Sequence, residues 1–240
     1  MTDLERTASP TPVLRWLGHA GFAVGFADIL FLVDPYLPGE TSLSPDLILC
    51  THTHERHMHA PTLQSLLAAS PHAKVVMPKS AAAHARSAGV PLERMTTTDA
   101  GLRVEYFKNG QYGRVYAAPS AHPDLGWTPL GGYPYLGYLI RFGPYTIYHA
   151  GDCAPYAELA ANLKPYNVTA ALLPLGEHNF SIPEAAALAA EIGAKWVIPM
   201  HYEAGAGDGD RFINHMLGFH PEQKFKVFEP GETWALPVGT

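Results

Sequence analysis

The stretch CTHTHERHMHA, residues 50–60, comes directly after the apolar run DLIL and sets four histidines within eight positions. A short apolar run that ends in ligand-type side chains reads as a buried strand delivering chemistry to a sheet edge. His52 and His54 are two apart on an extended segment, so their side chains point to the same side and can grip one ion. His57 lies three residues further on, at the start of a helix predicted from Leu63, Leu66 and Leu67, and faces a neighbouring position. Among these imidazoles stands a permanent cation, Arg56.

The same pattern recurs along the chain. Asp34 follows ILFLV, His122 follows VYAAPSA, Asp152 follows TIYHAG and His201 follows KWVIPM. Five apolar strands thus end in His or Asp, residue types that bind zinc or a related cation through neutral nitrogen or carboxylate oxygen. Between them the sequence alternates strands and helices. VLRWLG, GFAVGF, DILFLVD, AKVVMP, RVEYF, YLGYLIRF, VTAALLPL and FKVFEP read as strands. KSAAAHARSAG, YAELAANL, PEAAALAAEIG and DRFINHML read as helices. Two strand-rich halves, each with its own helices, predict an α/β protein with two sheets packed face to face and helices outside. Residues 1–11 are expected to be a flexible segment and residues 12–240 a single domain.

Composition narrows the function. The net charge is −6, with 16 Lys and Arg against 22 Asp and Glu, which gives no basic footprint for nucleic acid. The apolar runs are strand-length, so no membrane partner is expected. Two cysteines make no disulfide framework and suit a reducing cytoplasm. Thirteen histidines form the compositional excess.

Together WLGHAGF, LVDPYL, THTHERH, YHAGD, LLPLG with PEAAALAA, and VIPMHY resemble the metallo-β-lactamase-fold hydrolases. The likeness is greatest to the branch containing L-ascorbate-6-phosphate lactonase and predicted zinc-dependent hydrolases. The resemblance implies a four-layer αββα sandwich. It places His52, His54 and His122 on a first metal, with Asp152 bridging toward a second site lined by His57 and His201. It sets Asp34 and His19 beside the site, where they would hold ligands by hydrogen bonds, a role open also to His149. His178 and Asn179, in GEHNFS, are candidate substrate contacts. Glu177 there departs from the glycine-rich loop of that branch. Trp127, Tyr133 and Tyr135 are candidates for an apolar wall.

Arg56 occupies the signature position at which the family carries an aspartate ligand. A guanidinium cannot ligate, and at ~4 Å it would repel a divalent ion by ~8 kcal/mol at an effective dielectric of ~20. The expectation is therefore one tightly bound ion, zinc with manganese or iron as alternatives, and a disfavoured second site. Arg56 would pair with Asp152 or bind a phosphate or carboxylate of the substrate. Asp152 would orient a metal-activated water, and His201 or His57 would protonate the leaving group. The implied activity is hydrolysis of a small ester, lactone or phosphodiester, possible homo-oligomerisation being left open. The competing readings are a catalytically silent relative that binds a small anion, and a nuclease of the same fold.

Overall fold

The computed structural model describes residues 11–38, 42–203 and 205–239. The segment 1–11, expected to be flexible, lies outside the described residues except for Thr11. In the first half β1 (Val13–Gly18), β2 (Gly21–Phe26), β3 (Ile29–Val33) and β4 (Leu47–Leu49) precede α1 (Ala60–Ala69). β5 (Lys74–Pro78), α2 (Ala82–Ser87) and β6 (Met95–Thr98) follow. The second half runs β7 (Arg103–Lys108), β8 (Gln111–Pro119), β9 (Leu136–Phe142), β10 (Tyr145–His149), α3 (Leu159–Leu163) and β11 (Ala170–Pro174). It continues with α4 (Ile182–Glu191), β12 (Trp196–Met200), α5 (Asp208–Phe219), β13 (Lys224–Phe225) and β14 (Thr233–Ala235).

These strands form two seven-stranded sheets, ordered β14-β1-β2-β3-β4-β5-β6 and β13-β12-β11-β10-β9-β8-β7. Alternation along the strands separates the layers. In β3 and β4, Ile29, Phe31, Val33, Leu47 and Leu49 join the core that also holds Val115, Leu139 and Ile147 of the second sheet. Leu30, Leu32 and Ile48 turn the other way, onto Leu63 and Leu66 of α1 and Ala85 of α2. On the far side, Leu159 and Leu163 of α3, Leu188 of α4 and Phe212 and Met216 of α5 cover the second sheet. The predicted αββα sandwich is the observed one. Strands buried on both faces read as continuous apolar runs, which is why ILFLV and AALLP carry no polar alternation.

Strand direction gathers the functional residues. β1 and β3 both pair antiparallel with β2, and β3, β4, β5 and β6 continue in parallel. β8 and β10 both pair antiparallel with β9, and β10, β11, β12 and β13 continue in parallel. The carboxyl ends of β1, β3 and β4 therefore share one edge, as do those of β8, β10, β11 and β12. Each sheet switches from antiparallel to parallel order at one strand, β3 and β10, and crevices outside such switch points are where open α/β sheets bind ligands. The two edges are tied together there: Leu136 N donates to Thr51 O at 3.0 Å, and Tyr138 Oη donates to Cys50 O at 2.8 Å.

The chain departs from its sequence reading in three places. β6 has the sequence MTTT and became a strand only by pairing with β5. FKVFEP, expected as the last strand, contributes only Phe225 to the two-residue β13. The chain then returns across the molecule, and β14 pairs with β1. No helix among the described residues is long and apolar enough to cross a membrane.

Candidate metal centre

His52 and His54 follow β4, His122 follows β8, Asp152 follows β10 and His201 follows β12. His52 is buried against Asp152; His54, His122, Asp152 and His201 line, with His57 and His19, a cavity of about 360 Å³ between the sheet edges. Asp152 is its centre. Oδ2 lies 3.3 Å from His52 Nε2, 3.6 Å from His54 Nδ1 and 3.7 Å from His122 Nε2. Oδ1 lies 3.1 Å from both His57 Nε2 and His201 Nε2. One carboxylate thus turns an oxygen to each of two imidazole groups.

Two sets of donor atoms are close enough to share an ion: His52, His54 and Asp152 in one, and His19, His57 and His201 in the other. Zinc bonds of about 2.0–2.2 Å in a tetrahedron set ligand atoms roughly 3.3–3.6 Å apart, close to the separations around Asp152. Three atoms of these sets, His52 Nε2, His19 Nδ1 and Asp152 Oδ1, are buried and make no hydrogen bond among the described residues. Buried polar atoms are ordinarily satisfied, so this donor set fits metal ions.

The protonation states agree. Burial, then the neighbouring His201, His57 and Arg56, lower His19 to about 3. Burial and His57 lower His52 to about 4 against the opposing pull of Asp152. Both imidazoles are neutral with free lone pairs at working pH. Burial raises the Asp152 carboxyl, but contacts from His201, His52 and His57 outweigh it and hold the acid far below the usual range.

His57 differs. Burial pushes it down, yet the Asp34 and Asp152 carboxylates prevail and raise it from 6.5 to about 9. In the metal-free protein that stabilisation is fully present below pH 6.5 and is lost as pH rises through about 9. A cation must displace this proton. Metal addition at pH 7 should release about one proton, and uptake should tighten toward pH 9. Potentiometric titration checks this; metal uptake without proton release would contradict it.

Beneath the imidazoles lies a buried support. The Asp34 carboxylate, 0% exposed, pairs with His57 Nδ1 at 2.7 Å and accepts from Thr51 N at 2.8 Å and Thr51 Oγ1 at 2.6 Å. Thr51 Oγ1 in turn meets His52 Nδ1 at 2.9 Å. One acid therefore orients an imidazole of each set. His149 ends β10: its Nδ1 accepts from Gly151 N at 3.1 Å, which leaves Nε2 to donate to Ala20 O at 2.7 Å. It fixes the backbone before Asp152. Gly151 has φ +65°, and a Cβ there would stand 2.8 Å from Thr51 Cβ, so only glycine lets the two sheet edges approach this closely.

Backbone strain concentrates here. His19, Asp34, His178 and His201 all hold positive φ without being glycine. Each costs about 1–2 kcal/mol, which the sheet core offsets, since full burial of a side chain such as Phe31 or Val33 contributes about 1.5–3 kcal/mol.

Asn179 is buried; its Oδ1 accepts from Cys153 N at 2.9 Å and its amide nitrogen lies 3.4 Å from His201 Nδ1. His178 is exposed on the cavity wall, its carbonyl 3.3 Å from His122 Nδ1. Tyr135 stands against the first set, its ring 5.0 Å from His52 and 5.3 Å from His122, whereas Trp127 is largely exposed. Sequence reasoning missed Thr51, whose only signal is its place directly before His52. It also set His19 beside the metals, whereas the structure groups it with His57 and His201.

The expectation for Arg56 is overturned. The anticipated single ion, with an arginine in the seat of a ligand, does not describe this site: a second set of donors is present and the carboxylate is retained in Asp152. Arg56 does not pair with Asp152. Its side chain is half-exposed at the mouth, bonded to Glu203, with the guanidinium 5.8 Å from the Tyr36 ring centroid.

Comparison with known proteins agrees with this geometry. Residues 13–201 match the beta-lactamase superfamily domain. The chain is 32% identical over 200 residues to a UPF0173 metal-dependent hydrolase of Methanoculleus marisnigri, covering 79% of this chain and 80% of that protein. It is 30% identical over 237 residues to another of that designation from Caldivirga maquilingensis, covering 94% and 98%. Among solved structures it is similar in fold to Igni18, a metallo hydrolase from Ignicoccus hospitalis, with a TM-score of 0.75 and 24% identity over 95% of this chain and 99% of that one. With its two sheets, its strand-end histidines and these relatives, the chain belongs to the metallo-β-lactamase superfamily of metal-dependent hydrolases.

Proposed function

We propose that residues 12–240 form one domain that acts as a two-ion hydrolase of a small molecule. His52, His54, His122 and Asp152 would hold one divalent ion, and His19, His57, His201 and Asp152 the other. The observation that carries this reading is the split Asp152 carboxylate, with one oxygen toward each imidazole group. Zinc is the proposed metal, given a donor set of imidazole nitrogen and carboxylate oxygen. Bound ions would supply Lewis acidity and lower the pKa of water toward neutrality.

The chain's own residues divide the remaining work. Asp34 and Thr51 orient the imidazoles, and Asp152, between the two donor groups, orients the attacking water, whose proton is lost to solvent once its pKa is lowered. With His57 and His201 committed to an ion, neither is free to protonate a leaving group. Among the described imidazoles lining the cavity, His178 alone is not assigned to an ion above, and we assign it that step. The buried free thiols Cys50 and Cys153 support a reducing, cytoplasmic setting.

Turnover should be lost on chelation and restored by zinc, manganese or iron, across a panel of carboxylic esters, lactones and phosphodiesters. Lactones belong in it because of the likeness to the ascorbate-phosphate lactonase branch. Turnover indifferent to chelator would reject the reading. A nuclease of the same fold is disfavoured by the net charge of −6.

A further inference from the structure

Arg56 lies in the tight turn between His54 and His57, where His57 N and Met58 N both donate to His54 O at 2.9 Å. Glu203 lies two residues beyond His201. Their ion pair joins the loop that carries one donor of the second set to the loop that carries another. Both side chains are largely solvated, 49% and 68% exposed. A pair so exposed contributes little to folding stability, so holding the fold together does not account for it. Its position is the more telling feature. Arg56 lines the cavity together with His19, His57 and His201, and through Glu203 it is tied to the loop that carries His201.

An isolated arginine beside that set would oppose a divalent cation, and a carboxylate bonded to it cancels the opposition. We infer that Glu203 is the charge partner that lets the second ion be held next to Arg56. The inference rests on the two-ion reading above. In this role Glu203 does not ligate: it neutralises Arg56 at the cavity mouth. Charge neutralisation and simple stapling of the two loops make opposite predictions for the arginine. A staple fails equally whichever partner is removed. A neutralised cation fails only when the carboxylate goes, and the loss is repaired by removing the arginine as well.

The test is zinc binding to the full chain, metal-stripped and then titrated under equilibrium dialysis with metal analysis. Four proteins are compared: the unaltered chain, Glu203→Gln, Arg56→Gln and the double variant. The expected result is two equivalents in the unaltered chain. Glu203→Gln should weaken the second equivalent by about tenfold, or about 1.4 kcal/mol, with the first unchanged. Arg56→Gln should bind the second ion at least as well as the unaltered chain, and the double variant should return close to it. Unchanged binding in Glu203→Gln, or equal weakening in Arg56→Gln, would overturn the inference and leave the two-ion reading standing. A single equivalent in the unaltered chain would overturn that reading, and the inference with it.

Discussion

Replacing Asp152 by alanine should lower turnover by at least about 10²-fold, the low end of what one preorganised electrostatic group contributes, and should weaken both metal equivalents together. The coupled loss is the informative part. Oδ2 faces His52, His54 and His122, and Oδ1 faces His57 and His201. No other carboxylate among the described residues stands in either set of donors. Variants of a histidine from one set, such as His54→Ala or His201→Ala, should weaken mainly one equivalent. The Asp152→Asn variant keeps the shape and removes the charge, so it separates ligation from packing: metal content should fall while the melting curve of the metal-free protein stays cooperative. Two equivalents retained in Asp152→Ala, with turnover intact, would refute the bridging assignment.

The second large effect falls on a residue that touches no metal in this arrangement. Asp34→Ala should destabilise the protein by about 3–5 kcal/mol, the cost of breaking a buried pair, a fall in Tm of roughly 6–20 °C for a chain of this size. It leaves the Thr51 N–H, the Thr51 hydroxyl and His57 Nδ1 without their acceptor in a site that water does not reach. Metal affinity should drop about 10- to 100-fold, as it does when the partner that orients a ligating imidazole is removed. Asp34 has φ +45°, a conformation that asparagine tolerates better than alanine. Asp34→Asn should therefore recover part of the stability without recovering the metal affinity. Calorimetry and metal titration read the two quantities separately, and equal recovery of both would show that Asp34 acts only on the fold.

Much of this site is legible before any folding is considered. Phe31 and Leu32 lie on opposite faces of β3, and both faces are buried, so ILFLV appears as an unbroken apolar run. Asp34 at its end is conspicuous for the same reason. Residue type carries the chemistry: imidazole and carboxylate at five strand ends admit few uses besides a cation. β6 and β14 are not visible in this way. MTTT and TWA have no apolar alternation, and each is a strand because β5 or β1 offers it unpaired backbone groups. His19 belongs to a hairpin turn whose neighbours give no hint of His57 or His201, and its ring comes within 4.0 Å of His201 only when the two sheets are stacked.

Arg56 marks the boundary most clearly. The sequence by itself determined that a permanent cation stands among histidines spaced like metal ligands, because charge and spacing are local properties. It also determined the layered fold and most of the candidate donors, since periodicity and residue chemistry need no long-range partner. Only the tertiary structure decided where the guanidinium goes, because its carboxylate partner lies 147 residues away in the chain. A side chain's charge is fixed by its own atoms, but its effect on a neighbour depends on what it is paired with, and pairing across such a separation exists only once the backbone has folded.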